Sequence, residues 1–171
     1  LRPPEVDHGL SRGLLQQWPA YAAYATSFGT IGIIWVNHHS LFAQVRHVDR
    51  PLLFLNLLLL MCVSVIPFPT ALLGRYLGSA EDSHVAAAVY GGVMVLMSVC
   101  FTVLWRHVTT SPRLIRTQLD PRRARRESLL FSAGLLAYSV GIAVAFISAP
   151  LSLLLYALIA IYYVFPWLPE R

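Results

Sequence analysis

Trp35, Asn37, His38 and His39 crowd into five residues of a 33-residue run, 13–45, that contains no Asp, Glu, Lys or Arg. Imidazole and amide groups in so apolar a stretch suit three kinds of chemistry: metal or haem ligation, proton transfer, and hydrogen bonding between helices. On a helix His38 and His39 point about 100° apart, so one helix does not present both rings to one metal. A facing histidine from another span would be needed, and His8, His47, His84 and His107 all fall in loops or at helix ends. No metal and no cofactor are therefore expected. Proton-coupled carriers and membrane hydrolases commonly use an intramembrane Asp or Glu, or a nucleophile beside a base. No long apolar run contains a carboxylate, and Ser64 and Ser98 have no evident base. No catalytic residue is assigned, and an enzyme is not expected. What remains is an interhelical hydrogen-bond network, either purely structural or one that also supports gating.

The chain of 171 residues is 57% hydrophobic, with its charges confined to short stretches between long neutral ones. That is the composition of an integral membrane protein in contact with a lipid bilayer. The neutral runs predict an all-α, polytopic transmembrane helical bundle, a single domain over 1–171 with five spans at about 18–43, 52–73, 85–105, 128–147 and 151–168. The last two come from one uncharged run divided at Ser148-Ala149-Pro150, because proline starts a helix readily and disrupts its interior. All 13 basic residues are arginine, and seven of them lie in the linker 106–127. That excess predicts a cytoplasmic linker, and alternation predicts a cytoplasmic 46–50 loop and C-terminus. The same alternation puts the start of the chain outside. With Leu at position 1 and no signal peptide, a further span upstream is expected, giving six spans with both ends cytoplasmic. Arg122 to Arg126 are read as an orientation signal more economically than as a headgroup site, and nothing beyond charge points to nucleic acid. Cys62 and Cys100 lie in separate spans without ligand spacing and are read as buried free thiols.

The elements that must position the cluster follow from the same pattern. The first helix begins near Trp18-Pro19 and carries two stripes at helical spacing. One is small and mostly polar (Thr26, Thr30, Ile33, Asn37, Ser40, Gln44). The other joins Trp35, His38, His39 and Phe42, with the indole between the two imidazoles. The second helix enters at Pro51 and carries Asn56 and Ser64, each read alone as packing glue between helices. Pro67 and Pro69 near its other end remove backbone donors and predict a helix kink. In the fourth, Ala133, Ala137, Gly141, Ala145 and Ala149 recur every four residues, a spacing that permits close helix approach. Tyr162, Tyr163 and Trp167 predict an interfacial belt.

The string Trp35-Val-Asn-His-His-Ser-Leu-Phe42 and, after it, Asn56 through Ser64 to Pro67-Phe-Pro69-Thr-Ala-Leu-Leu-Gly74 strongly resemble the bacterial branch of the transmembrane protein 175 family of potassium channels. Trp18-Pro19-Ala-Tyr21 and Ser27-Phe28 resemble that family's second helix, and Leu1-Arg2-Pro3-Pro4 the tail of its first. The resemblance is strong over 18–76 and rests on hydropathy beyond. It implies a six-helix subunit that assembles with its own copies as a homotetramer around a central pore for potassium ions, in a bacterial plasma membrane. In the family the first helix lines the pore, with bulky apolar residues at the constriction and an Arg-x-x-x-Phe-Ser-Asp motif near its cytoplasmic end. This chain contains no such motif, so the pore constriction is expected upstream of Leu1. The resemblance makes Trp35, Asn37, His38, His39 and Ser64 the residues that brace the pore helix. The function it implies is a potassium-permeable channel subunit, its pore closed by apolar constriction and dewetting. The alternative is a secondary transporter or accessory membrane subunit using the same cluster as a binding site.

Overall fold

Local chemistry sets the helix boundaries. The structure, a computed structural model, describes residues 18–76, 81–115 and 121–165. In chain order these form α1 (Trp18–Phe42), α2 (Arg50–Val65), α3 (Pro67–Tyr76), α4 (Ser83–Thr110), α5 (Pro121–Ala145) and α6 (Ala149–Val164). Residues 1–4, the 116–120 stretch of the linker and Trp167, all used in the sequence reading, lie outside the described residues. Asp49 caps α2 by accepting the Leu52 amide at 2.9 Å, and Ser148 caps α6 by accepting the Leu151 amide. A proline follows each cap within the first turn, where its missing N–H costs nothing.

Between α2 and α3 the helix breaks at Ile66. Pro67 has no N–H to offer the Val63 carbonyl, which accepts the Ile66 amide instead at 3.2 Å. Thr70 closes the next turn, its amide and its hydroxyl both donating to the Ile66 carbonyl at 3.3 and 2.9 Å. Backbone groups freed by proline are thus satisfied locally, as an apolar environment requires.

α4 is the spine. Its buried positions Ser83, Ala87, Tyr90, Met94, Met97, Phe101, Leu104 and Val108 alternate steps of four and three, the seam spacing of packed helices. It packs against α2, α3, α5 and α6, while α1 lies on α3 and α6. The helix also outruns the 85–105 span by a turn and more, because Trp105 and Val108 are buried against the bundle. The threonines Thr109 and Thr110 return their hydroxyls to the Trp105 and Arg106 carbonyls. At the far side of the linker, α5 begins at Pro121 rather than near 128. The linker 106–127 is therefore helical at both ends.

α4, α5 and α6 interlock around one ring. Tyr156 of α6 is buried and sits in a slot formed by Gly91 of α4 and Gly141 of α5. Its hydroxyl donates to the Ala87 carbonyl at 3.3 Å, and one turn earlier the fully buried Ser152 hydroxyl donates to the Gly141 carbonyl at 2.9 Å. Of the small-residue stripe, Gly141, Ala145 and Ala149 are buried in this contact, whereas Ala133 is exposed.

The loops after α1 and α4 meet at one end of the bundle. Val45 and Ile115 form an isolated antiparallel bridge, and the Arg46 amide donates to the Leu114 carbonyl at 2.6 Å. At the opposite end His84 donates from Nδ1 to the Ala145 carbonyl, tying the start of α4 to the end of α5. Among the described residues, Arg50–Tyr76 (α2 with α3) and Ser83–Thr110 are long and apolar enough to cross a bilayer, and Ser132–Ala145 and Ala149–Val164 are shorter apolar helices.

Candidate functional site

Asn37, His38 and His39 are successive residues of α1, and a step of about 100° per residue sends them in three directions. Asn37 turns inward. Its Nδ2 donates to the Ile33 carbonyl at 2.9 Å and to the Tyr163 carbonyl at 3.1 Å, which fastens α1 to the last turn of α6. His38 turns toward α2, where its Nε2–H donates to Asn56 Oδ1 at 2.8 Å. Phe42, one turn on, lies 4.4 Å from its ring. His39 turns outward and stacks on Trp35 at 5.5 Å with 20° between the planes. Trp35 is 64% exposed.

This geometry divides the aromatic stripe. The indole does not sit between the two imidazoles. It pairs with His39, and Phe42 pairs with His38, because residues four apart overlay better on a helix than residues three apart. Ser64 stands away from the cluster. Its hydroxyl donates to the Met61 carbonyl of its own helix at 2.7 Å and is exposed. It lies eight residues beyond Asn56, roughly 12 Å along the axis. Pro67 and Pro69 both follow the helix break at Ile66, in the first turn of α3, with Pro69 buried and Pro67 exposed.

Asn56, read from the sequence as glue between helices, bonds His38, whereas Tyr163, Asp49 and His107 carry no clear sequence signal for the contacts they make. Asn56 stands among leucines, and its partnership with His38 depends on how α1 and α2 are offset, which neither helix encodes alone. Tyr163 receives the Asn37 amide on its backbone carbonyl, a contact that its side-chain type does not announce. Asp49, the cap of α2, and His107, in the last turns of α4, meet at 3.0 Å, with Nε2–H donating to the carboxylate. The Leu52 amide, and then His107, hold the Asp49 carboxyl below its ordinary value of 3.8. A depressed folded pKa means that the ionised cap stabilises the fold above pH 4 and that this contribution is lost as the pH falls through the lowered value. Thermal midpoints of wild type and Asp49→Ala are therefore expected to differ at neutral pH, wild type being higher, and to converge on acidification through that range. A gap that persists well below pH 3.8 would contradict the role given to the charge.

The site has little room for a ligand. A cavity of about 70 Å³ lies inside Asn37, walled by Thr30, Ile33, Met97, Phe101 and Tyr163, far below the several hundred Å³ of an ordinary ligand pocket. Among the described residues no three of His, Cys, Asp and Glu come together as metal ligands. The arrangement joins helices: one amide and one imidazole fasten α1 on two sides, and a third pair faces outward.

Fold and site together define a polytopic helical membrane protein whose polar groups work between spans. The chain belongs to the TMEM175 family. The family model described as the endosomal/lysosomal potassium channel TMEM175 matches residues 1–67. A potassium channel of Streptomyces collinus is 47% identical over 171 residues, 99% of this chain and 83% of that protein. A potassium channel of Chamaesiphon minutus is 41% identical over 91% of this chain and 76% of its own length. The crystal structure of a lysosomal potassium-selective channel TMEM175 homolog from Chamaesiphon minutus superposes with a TM-score of 0.76 at 36% identity, covering 95% of this chain and 83% of that one. The family is one of channels, not an enzyme class.

Proposed function

We propose that this chain is a subunit of a potassium-permeable ion channel in a bacterial plasma membrane. The observation that carries the proposal is the near-whole-length likeness to proteins named potassium channels, in sequence and in fold. Potassium is the permeant ion, and four copies surround the pore. The pore wall is a helix that precedes α1 and packs on the outward face of α1 and α2. Support for that placement comes from the outward Trp35–His39 pair, exposed polar groups on an apolar helix. Facing lipid, they would be costly; facing a helix that carries polar groups of its own, they are partners. Phe28 and Phe54, 68% and 63% exposed, offer apolar surface to the same neighbour. The arginine-bearing linker 106–127 and the loop it touches face the cytoplasm, in keeping with the arginine excess, and five spans cross the membrane with the pore helix as a sixth.

Full-length protein in liposomes tests the proposal. Ohmic potassium current is expected; saturable exchange coupled to a second solute would make it a transporter instead. His39→Ala is expected to change open probability or weaken the tetramer while leaving the potassium-to-sodium permeability ratio unchanged. A large change in that ratio would put His39 in the pore itself.

A further inference from the structure

The two cysteines of the chain sit against each other. Cys62 of α2 and Cys100 of α4 are buried, 2% and 3% exposed, and their sulfurs are 3.8 Å apart. Cys62 continues the seam of α2 that carries Leu52 and Leu59, and Cys100 lies on the buried face of α4. Both are free thiols. We propose that they form an oxidisable dithiol, converted by a membrane-soluble organic hydroperoxide, of the kind formed in lipid, into a disulfide that clamps α2 to the spine of the bundle.

A buried thiol is ordinarily inert, because apolar surroundings keep it protonated and water-borne oxidants do not reach it. A hydroperoxide dissolved in the hydrocarbon removes the second obstacle, and the first is met when the thiol proton passes to the departing alkoxide oxygen in the same step as the attack. One thiol sulfur attacks the peroxide oxygen, and the O–O bond breaks. The alcohol leaves with the thiol proton, and a sulfenic acid remains. The other thiol, already in contact, attacks that sulfur, breaks its S–O bond and expels water. Two thiols and one hydroperoxide give one disulfide, one alcohol and one water; each sulfur gives up one electron and the peroxide takes both. The partner thiol intercepts the sulfenic acid before it reaches the irreversible sulfinic stage. Closure requires the sulfurs to approach to about 2 Å, a movement that side-chain rotation shares with a small slide of α2 on α4.

The test uses full-length protein in phosphatidylcholine–phosphatidylglycerol vesicles, treated with cumene hydroperoxide and then denatured with a maleimide present. Intact mass is expected to show neither cysteine labelled, and dithiothreitol is expected to return both. The thermal midpoint is expected to rise by roughly 5–10 °C on oxidation and to fall back on reduction. Cys62→Ser, or Cys100→Ala if the first does not fold, is expected to abolish the reversible shift. Three results would overturn the proposal: both thiols still labelled once the methionines are oxidised, one cysteine driven singly to sulfinic acid, or a disulfide that joins two subunits.

Discussion

Gly141→Leu is expected to prevent the bundle from holding its native packing, and Gly141→Ala alone to lower its thermal midpoint. Even a methyl group at this position would press into the Tyr156 ring, whose Cδ1 and Cζ stand 3.1 Å from where the Cβ would be. The ring cannot move aside. Tyr90 and Tyr138 flank it at 5.4 and 5.7 Å, and its hydroxyl is bonded to the Ala87 carbonyl. Overpacking of this kind costs about 1–3 kcal/mol, more than the roughly 1 kcal/mol that alanine gains over glycine in a helix. For a chain of this size, each kcal/mol moves the midpoint by about 2–4 °C. Gly91→Ala is expected to behave alike, because its Cβ would stand 2.6 Å from Ile142 Cγ1. Gly92, the next residue, has nothing within 4 Å, so Gly92→Ala is the control and should be neutral or stabilising. Thermal unfolding of the three variants in detergent decides the matter: equal losses at 91, 92 and 141 would mean that helix flexibility, not the Tyr156 slot, is what the glycines supply.

The second large effect concerns His38 and Asn56. Removing either partner leaves the other's polar atom in a half-buried, apolar contact, at a cost of about 1–3 kcal/mol. His38→Leu and Asn56→Leu are each expected to destabilise by that order, and the double variant by less than the sum. The coupling energy should approach 1 kcal/mol, in the range of hydrogen bonds between membrane helices. Among the described residues the His39 side chain makes only a ring contact with Trp35, so His39→Ala should leave the unfolding midpoint of this chain nearly unchanged. Additive losses at 38 and 56 would mean that the 2.8 Å contact carries no energy. A loss at 39 equal to that at 38 would mean that the outward pair is structural within the subunit.

Legibility followed the range of the interaction. The helix Trp18–Phe42 and the hairpin capped by Ser148 are written in consecutive residues, in apolar runs, caps and prolines, so the sequence reading and the structure agree closely there. The ends of the linker were harder, because α4 persists to Thr110 only where Trp105 and Val108 find neighbours in other helices. Within the site, the residues of α1 were visible as polar groups in an apolar run. Their partnerships were not, although Asn56 itself stood out as glue between helices. Asn56, the Tyr163 carbonyl and the contact of Cys62 with Cys100 depend on the rotation and offset of two helices, and a wheel drawn for one helix contains neither quantity. The same limit explains why one aromatic stripe resolved into two pairs with different neighbours.

The break at Ile66 gives one stretch of chain two characters. By length and composition Arg50–Tyr76 reads as one 27-residue apolar segment, long enough to cross a bilayer. Once folded, the same stretch is two helices that meet at Ile66, whose amide donates back to the Val63 carbonyl and whose own carbonyl accepts both bonds from Thr70. α2 packs on α4 and takes the His38 bond, whereas α3 packs on α1 and α4, so the two halves of one apolar stretch answer to different neighbours.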